Sequence, residues 1–230
     1  MTDKKLEGIK LLLEERMLAY DILRLAYVEE PSREFVKTLL NDKLMNSFPF
    51  IEEEEEISAG CREISEYLTN TDVLEESQYQ KLHWDYTKMF IGPYELIAPP
   101  WESAYTSKER LLFQETTLQV RNTYLKYNFI PRHYPHEADD HIGLELDYLY
   151  QLTKQTLEAG EKNKIQRAIQ LLEEQNNFIK EHLQIWISEF TEKIINGAET
   201  PFYRGMAKVL KGFIIIEPLI IKELIETLKS

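Results

Sequence analysis

The residues best suited to chemistry in this chain lie in the segment Pro135–His141 (PHEADDH), which places carboxylates and imidazoles at the expected start of a long helix. Glu137, His141 and Glu145 are spaced four apart, and Tyr148 follows three residues later. On a helix this spacing aligns the four side chains in one polar stripe. Such a stripe either takes part in a reaction or holds a bound partner.

An apolar stripe accompanies the polar one. Ala138, Ile142, Leu146 and Leu149 recur at helical spacing on the neighbouring face. Because apolar side chains at this period pack toward a core, we expect the polar stripe to lie at a groove or at the surface.

Metal binding is disfavoured by the spacing of the possible ligands. His136 and His141 are five residues apart, about 140° around a helix, so they do not converge as the i, i+4 pair of a helical zinc site does. A di-iron bundle needs Glu-X-X-His pairs on two helices, whereas Glu137 to His141 is one residue too long and has no second copy. We therefore expect no metal and no other cofactor.

Acid–base or nucleophilic catalysis is a second use of the same residues. Asp140 or Glu137 could orient His141, and Ser103 could be recruited from a proline-rich loop earlier in the chain. The sequence has no Gly-X-Ser-X-Gly elbow, no phosphate-binding glycine loop and no dinucleotide-binding fingerprint. A small metal-dependent or acid–base hydrolase using Asp139, Asp140 and His141 stays as the alternative function. The plainest interpretation is that the acids only stabilise a helix dipole and that His141 is a satisfied polar residue.

The charge balance restricts the partners. The chain has 230 residues, with 27 Lys and Arg against 40 Asp and Glu, and a formal net charge of −13. Such a surface repels phosphate backbones and anionic lipids, so we expect neither nucleic acid binding nor membrane insertion. It suits a basic partner instead. Cys61 is the only cysteine and the N-terminal segment is too charged for a secretory signal, so we expect a cytoplasmic protein.

The composition predicts an all-α fold. Leu, Glu, Ile and Lys dominate and glycine is scarce, which is typical of helices. We expect a single domain over residues 1–230, a globular bundle of roughly ten helices. The predicted helices are Leu6–Tyr27, Ser32 to about Met45, Glu52–Leu68, Glu75–Phe90, Lys108–Tyr127, the acidic motif to Glu158 with a turn at Ala159-Gly160, Lys162–Ile195 with a break near Lys180–Leu183, and Thr200-Pro201 onward with a kink or interruption at Pro218.

The most irregular segment runs from Gly92 to Trp101, where Gly-Pro and Ala-Pro-Pro-Trp interrupt the helical pattern. We expect a stiff loop there and treat residues 92–101 as a candidate hinge. Tyr86, Met89 and Phe90 lie on one helical face that leads into this loop. Aromatic and Met side chains beside a stiff loop can form a groove for a peptide or pack into the core, and both interpretations stay open.

Three segments, taken in order, resemble the TorD/DmsD family of redox-enzyme maturation chaperones. Residues 86–93 (YTKMFIGP) are similar to the family pattern aromatic-X-X-Leu-Phe-X-Gly-Pro. Residues 99–105 (PPWESAY) are similar to its proline-aromatic-X-Ser-X-aromatic loop, and residues 136–142 (HEADDHI) to its Glu-Pro-X-Asp-His-Ile. Ala138 stands where the family motif has proline.

The resemblance implies an all-helical chaperone without enzymatic activity. Family members bind the twin-arginine leader peptide, and sometimes the body, of a molybdenum-cofactor reductase subunit in the cytoplasm until its cofactor is inserted. They occur as monomers or helix-exchanged dimers. A basic, apolar leader suits carboxylates beside an aromatic surface. The implied peptide-binding residues are Tyr86, Met89, Phe90, Gly92, Pro100, Trp101, Ser103 and Tyr105 along a groove, with Glu137, Asp140 and His141 as its polar edge.

Overall fold

The fold is all-α, as predicted. The computed structural model describes residues 3–93, 95–106, 115–131 and 137–230. None of the helices in these ranges is both long enough and apolar enough to cross a bilayer. The ten α-helices formed by the described residues are α1 Asp3–Tyr27, α2 Arg33–Asn41, α3 Glu55–Asn70, α4 Glu76–Tyr86, α5 Ser103–Thr106, α6 Glu115–Lys126, α7 Ile142–Glu161, α8 Ile165–Phe178, α9 Gln184–Gly197 and α10 Pro201–Lys229.

Helix boundaries follow local signals in several places. α1 ends at Tyr27, shortly before Pro31, and Ser32 caps α2 by accepting a hydrogen bond of 3.1 Å from the Phe35 N–H. Pro201 occupies the first turn of α10, where its missing N–H costs nothing. These predicted boundaries are confirmed because each depends on residues within about one helical turn.

The predicted C-terminal ends of two helices are wrong. α2 ends at Asn41 rather than near Met45, because Lys43 adopts a left-handed conformation with φ 49°. α7 continues past the expected Ala159-Gly160 turn as far as Glu161. Glycine in an exposed helical turn costs only about 1 kcal/mol, which does not end a helix that is packed along its length. For the helix predicted from Lys108, the first turns lie outside the described residues, and α6 is described from Glu115.

α10 remains continuous through Pro218, so the proline does not interrupt it. Proline lacks an N–H, and the carbonyl of Ile214, four residues earlier, therefore loses its helical donor. Gln184 at the start of α9 supplies a replacement, because its Nε2 donates to the Ile214 oxygen at 3.4 Å. A neighbouring helix thus compensates for the missing bond.

α10 lies at the centre of the packing, against α3, α8 and α9. Gly60 on α3 faces Gly205 on α10 so closely that a Cβ added at Gly60 would lie 2.5 Å from the Gly205 carbonyl oxygen. Only glycine permits this approach. Buried apolar side chains from α1 to α4 and from α6 to α10 form one continuous cluster around this crossing.

A buried polar network joins four helices inside the bundle. Arg16 on α1 donates through Nε and Nη2 to the two carboxylate oxygens of Glu217 on α10, at 2.8 and 2.6 Å. Its Nη2 also donates to Gln175 Oε1 on α8 at 2.8 Å, and the Tyr20 hydroxyl donates to Glu217. Thr153 Oγ1 on α7 donates to Gln175 Oε1 at 2.9 Å. We call these five residues the inner network.

Two π-helical turns interrupt the regular helices. The first, Thr87–Ile91, continues α4 and leads directly into the loop that begins at Gly92. The second, Ile179–Leu183, separates α8 from α9 at the predicted break near Lys180–Leu183, which is thereby confirmed. Because π-turns in α-helices often occur at functional sites, they direct attention to the loop and to whatever contacts it.

Candidate functional site

The proline-rich loop and the acidic motif meet in a short antiparallel bridge between Trp101 and His141. The Glu102 N–H donates to the Asp140 carbonyl oxygen at 3.0 Å, and the Ile142 N–H donates to the Pro100 carbonyl oxygen at 2.8 Å. Two segments about forty residues apart are therefore joined through their backbones. We call residues 100–103 and 137–142 the junction.

Asp140 fixes the junction from inside. Its side chain is fully buried. One carboxylate oxygen accepts a bond of 2.9 Å from the Ser103 N–H, and the other accepts a bond of 2.9 Å from Thr117 Oγ1 on α6. A buried carboxylate needs such donors, so Asp140 ties α5, α6 and the start of α7 together.

His141 is the N-cap of α7. Its Nδ1 accepts a bond of 3.1 Å from the Gly143 N–H, and its ring meets the Trp101 ring nearly edge-on at 6.0 Å. Burial lowers the pKa of His141 to about 4, although the Glu137 and Asp140 carboxylates act in the opposite direction. The imidazole is therefore neutral at pH 7 and holds the helix end as a hydrogen-bond acceptor.

The predicted polar stripe is wrong, because α7 begins only at Ile142. His141 is extended (φ −75°, ψ 131°), since its neighbours bond to the loop backbone rather than to a helical turn. Glu137 therefore lies outside the helix. Glu145 and Tyr148 are fully buried and do not face a groove or the solvent. The accompanying apolar stripe is confirmed from Ile142 onward, and Ala138 is buried but precedes the helix.

Trp101 and Glu137 form the accessible edge of the junction. Both side chains are half-buried, and Trp101 Nε1 donates to Glu137 Oε1 at 2.8 Å. Asp139, next to them, is buried and pairs with Arg121 on α6 at 2.6 Å. An indole and a carboxylate that share a hydrogen bond are thus presented together at the surface.

The aromatic segment before the loop lies in the core. Tyr86, Met89 and Phe90 are almost entirely buried, and the Tyr86 hydroxyl donates to the Tyr27 carbonyl oxygen at 3.1 Å. Phe90 packs against the rings of Tyr27, Tyr86, Phe190 and Tyr203. In this structure these three residues support the loop from behind and do not line an open groove.

The remaining predicted residues surround the loop. Gly92 takes φ 104°, which a side chain would disfavour, and so turns the chain out of the π-helix. Pro100 and Ser103 are buried, and Tyr105 packs its ring on Trp186 with centroids 5.2 Å apart. The structure therefore brings the loop residues and the acidic motif together, with most of their side chains directed inward.

Sequence reasoning missed three residues that hold the junction in place: Glu102, Thr117 and His182. Glu102 and His182 are both buried, and a carboxylate oxygen of Glu102 lies 2.9 Å from His182 Nδ1. His182 sits in the second π-helical turn, eighty residues from Glu102. The break predicted near Lys180–Leu183 was a signal for that turn, whereas Thr117 looks like an ordinary helical residue.

The geometry does not support a hydrolase at Asp139, Asp140 and His141. Asp139 faces Arg121 and Asp140 faces backbone and hydroxyl donors, while Nδ1 of His141 already accepts from the backbone. Catalysis of the usual kind needs a base that is bonded to both its nucleophile and its orienting group. Within the described ranges no three His, Cys, Asp or Glu side chains converge on a metal position, and His136 lies outside those ranges.

A cavity of about 520 Å³ lies away from the junction, between α2, a 3-10 turn at Leu44–Ser47 and the end of α3. A smaller cavity of about 190 Å³ adjoins the junction, where Arg121, Tyr124, Phe129 and Asp139 line it. Size alone is therefore a poor guide to the site in this fold.

Comparison with known proteins identifies relatives over most of the chain. The family model described as "Nitrate reductase delta subunit" matches residues 53–192. A "Probable Tat proofreading chaperone DmsD" of Haemophilus influenzae is 27% identical over 60% of this chain and 60% of its own length. A "Chaperone protein TorD" of Aliivibrio salmonicida is 24% identical over 89% of this chain and 93% of its own. A crystal structure of a candidate redox enzyme maturation protein from Archaeoglobus fulgidus is 18% identical, with a TM-score of 0.47 over 86% of this chain and 93% of that one.

Proposed function

We propose that this chain, which belongs to the TorD/DmsD family of molybdoenzyme maturation chaperones, binds the twin-arginine leader peptide of a molybdenum-cofactor oxidoreductase subunit. Binding takes place in the cytoplasm, assists cofactor insertion and delays export of the client. The body of the client subunit is a second contact. The chaperone holds its client without turnover and without a cofactor of its own.

The observation that carries this proposal is the junction itself. Two of the three segments that resemble the family, residues 99–105 and 136–142, meet there, and Trp101 and Glu137 form a bonded, half-buried pair at its edge. A leader peptide offers arginine side chains and an apolar stretch, which match a carboxylate and an indole respectively. The net charge of −13 attracts such a basic segment and accelerates its association.

The predicted site residues divide into three groups in this proposal. Trp101 and Glu137 contact the leader directly, beside Gly92. Asp140, His141, Pro100, Ser103 and Tyr105 hold the loop in position. Tyr86, Met89 and Phe90 become accessible to the peptide only when the loop at residues 92–101 moves away, and that loop is the proposed hinge of an otherwise single domain over residues 1–230. The same hinge permits either a monomer or a helix-exchanged dimer.

The testing experiment is isothermal titration of the full chain with a synthetic twin-arginine leader from a molybdoenzyme of the same genome, beside a Lys-Lys version. Tighter binding of the arginine peptide is expected, because lysine cannot bond a carboxylate in bidentate fashion. Equal affinity for both peptides would contradict arginine recognition. Absence of binding to any leader by folded protein would overturn leader binding, and titration with the leaderless client subunit would then test the body contact by itself.

A further inference from the structure

Trp84 is the most exposed of the three tryptophans. Its side chain on α4 is 61% exposed, whereas Trp101 is half-buried and Trp186 is buried. Ile91, at the end of the π-helical turn that continues α4, is 63% exposed. A single exposed apolar residue is ordinary, so the surroundings of Trp84 decide whether it marks a binding surface.

A carboxylate lies beside this part of α4. Glu30, in the segment between α1 and α2, contacts the imidazole of His83, and the His83 ring meets the Trp84 ring edge-on at 4.9 Å. The pKa of the Tyr86 hydroxyl is raised first by burial and then by the charges of Glu137, Glu29 and Glu30. Glu29 directly precedes Glu30 in the segment between α1 and α2, and both charges act on the Tyr86 hydroxyl, two residues beyond Trp84 on α4.

Nearby cations do not neutralise this acidic surface. Lys88, between Trp84 and Ile91, pairs with Glu199 at 2.6 Å. Arg33 pairs with Glu76 and also donates to the Leu74 carbonyl oxygen at 2.6 Å. Glu29 is exposed and makes no ion pair with the described part of the chain. The surface around Trp84 thus combines an exposed indole with the carboxylate of Glu29, which has no ion pair in the described ranges, and that of Glu30, which contacts His83.

From these contacts we infer that Trp84, Ile91, Glu29 and Glu30 form a docking surface for the arginine-containing segment of a leader peptide. The inference rests on the proposed function and adds a second arginine contact to the one at Glu137. Asp140 and His141 are 0% and 4% exposed and are already bonded internally, so they offer no free carboxylate or imidazole to a guanidinium. A guanidinium can stack on the Trp84 face while it bonds a carboxylate, and an ammonium does both less well.

Trp84→Ala tests the surface with the twin-arginine leader and its Lys-Lys version as probes, in titrations of the full chain. We expect affinity for the arginine peptide to fall about tenfold and affinity for the lysine peptide to change much less, so that the preference for arginine shrinks. Leu219→Ala is the matched control, because Leu219 is 67% exposed on α10. It lies eighteen residues beyond the start of α10, which is about 27 Å along the helix. The control should bind like the wild type.

Glu29→Gln combined with Glu30→Gln tests the charges separately. The pair should slow association with the arginine peptide and flatten the dependence of the association rate on salt, because surface charges act mainly on encounter. Circular dichroism of each variant establishes that the helices persist.

The outcomes separate this inference from the proposed function. If wild-type protein binds the arginine leader and Trp84→Ala binds it equally well, the docking surface is wrong while leader binding stands. If the wild type binds no leader, both are overturned. A loss that is equal for the arginine and lysine peptides would also contradict guanidinium recognition at Trp84.

Discussion

The inner network and the junction region both place ionisable side chains in the protein interior, but these side chains differ in how many hydrogen-bond partners they have. In the inner network, Glu217 receives hydrogen bonds from Arg16 and Tyr20, and Gln175 links Arg16 to Thr153. Beside the junction, in the first turn of α7, buried Glu145 faces Glu102 and Trp186, but neither of its carboxylate oxygens forms a hydrogen bond of normal geometry with a described residue. Most buried polar atoms of the inner network therefore have hydrogen-bond partners, whereas the Glu145 carboxylate oxygens have none among the described residues.

This difference indicates different tasks. A satisfied buried ion pair specifies how helices pack and resists change, since removal of one partner leaves a buried charge. Buried polar atoms at or beside the junction that have no hydrogen-bond partner among the described residues, such as Ser103 Oγ and Trp186 Nε1, weaken the hold on the loop. We therefore interpret the inner network as architecture and the junction as the part of the fold that can rearrange around a peptide. The four predictions below test this division.

The largest effect is expected from Arg16→Met. It should lower the free energy of unfolding by about 3–5 kcal/mol, because Glu217 would remain buried without its partner. Urea denaturation at pH 7 measures the change. Leader affinity of the folded variant should match that of the wild type, since the network lies apart from the junction.

The matched control for Arg16 is the double variant Arg16→Met with Glu217→Leu, which removes both charges. It should recover most of the lost stability, because well-packed apolar residues often replace a buried pair without loss. If Arg16→Met alone lowered the free energy of unfolding by less than about 1 kcal/mol, the inner network would not be a tightly bonded unit and its contrast with the junction would fail.

A pH-dependent loss of stability is expected from His141. Its pKa is lowered to about 4 in the folded protein, chiefly by burial, against an ordinary value of 6.5. Between pH 4 and pH 6.5 the unfolded chain binds a proton at His141 that the folded protein does not bind. The stabilisation that His141 contributes is therefore complete above pH 6.5 and is lost as the pH falls toward 4. The free energy of unfolding should fall by about 3 kcal/mol through this effect, because each unit of pKa difference corresponds to about 1.4 kcal/mol.

His141→Asn isolates this contribution, because asparagine is a good N-cap and does not titrate. Urea midpoints measured between pH 7 and pH 4.5 should fall less steeply for the variant than for the wild type. Parallel curves would mean that other groups cause the acid dependence and that His141 does not report on the junction.

The contrast also shows what sequence can predict in this fold. Starts at Ser32 and Pro201 and the break near Lys180–Leu183 were predictable, because capping, proline and periodicity act within a few residues. The start of α7 was not predictable in this way. It depends on Trp101, whose backbone neighbours bond the segment before Ile142 and hold it extended.

The sequence predicted which segments form the site, but it did not predict how their side chains are arranged in space. The ordered segments 86–93, 99–105 and 136–142 pointed to the family, which the match over residues 53–192 confirms. Their spacing along the chain carries no information about which side chains face inward. Likewise, Glu102 and His182 meet across eighty residues, so only the folded structure shows their contact.

A smaller effect, on affinity rather than stability, is expected from Trp101→Ala. Removing the indole should weaken leader binding by about 2 kcal/mol, or about thirtyfold, as for other aromatic anchors. Trp101→Phe keeps the ring but loses the bond from Nε1 to Glu137, so it should lose less. Titration with the twin-arginine leader measures both variants, and unchanged binding by Trp101→Ala would remove the junction edge from the binding surface.

The smallest effect on stability at acidic pH is expected from Glu145→Gln, which probes the buried carboxyl group beside the junction. The pKa of Glu145 is raised well above its usual range, first by burial and then by the Glu102 and Asp140 carboxylates, so the side chain is held protonated. A raised folded pKa contributes stability that is complete below about pH 4.5 and is lost as the pH rises.

Glutamine at position 145 keeps the shape of the neutral side chain at every pH. The variant should therefore lie within about 1 kcal/mol of the wild type near pH 5, the scale of one hydrogen bond, and become the more stable protein as the pH increases. If Glu145→Gln instead destabilised the protein equally at all pH values in thermal melts, Glu145 would belong to a closed network like that of Glu217, and the junction would not be the looser of the two regions.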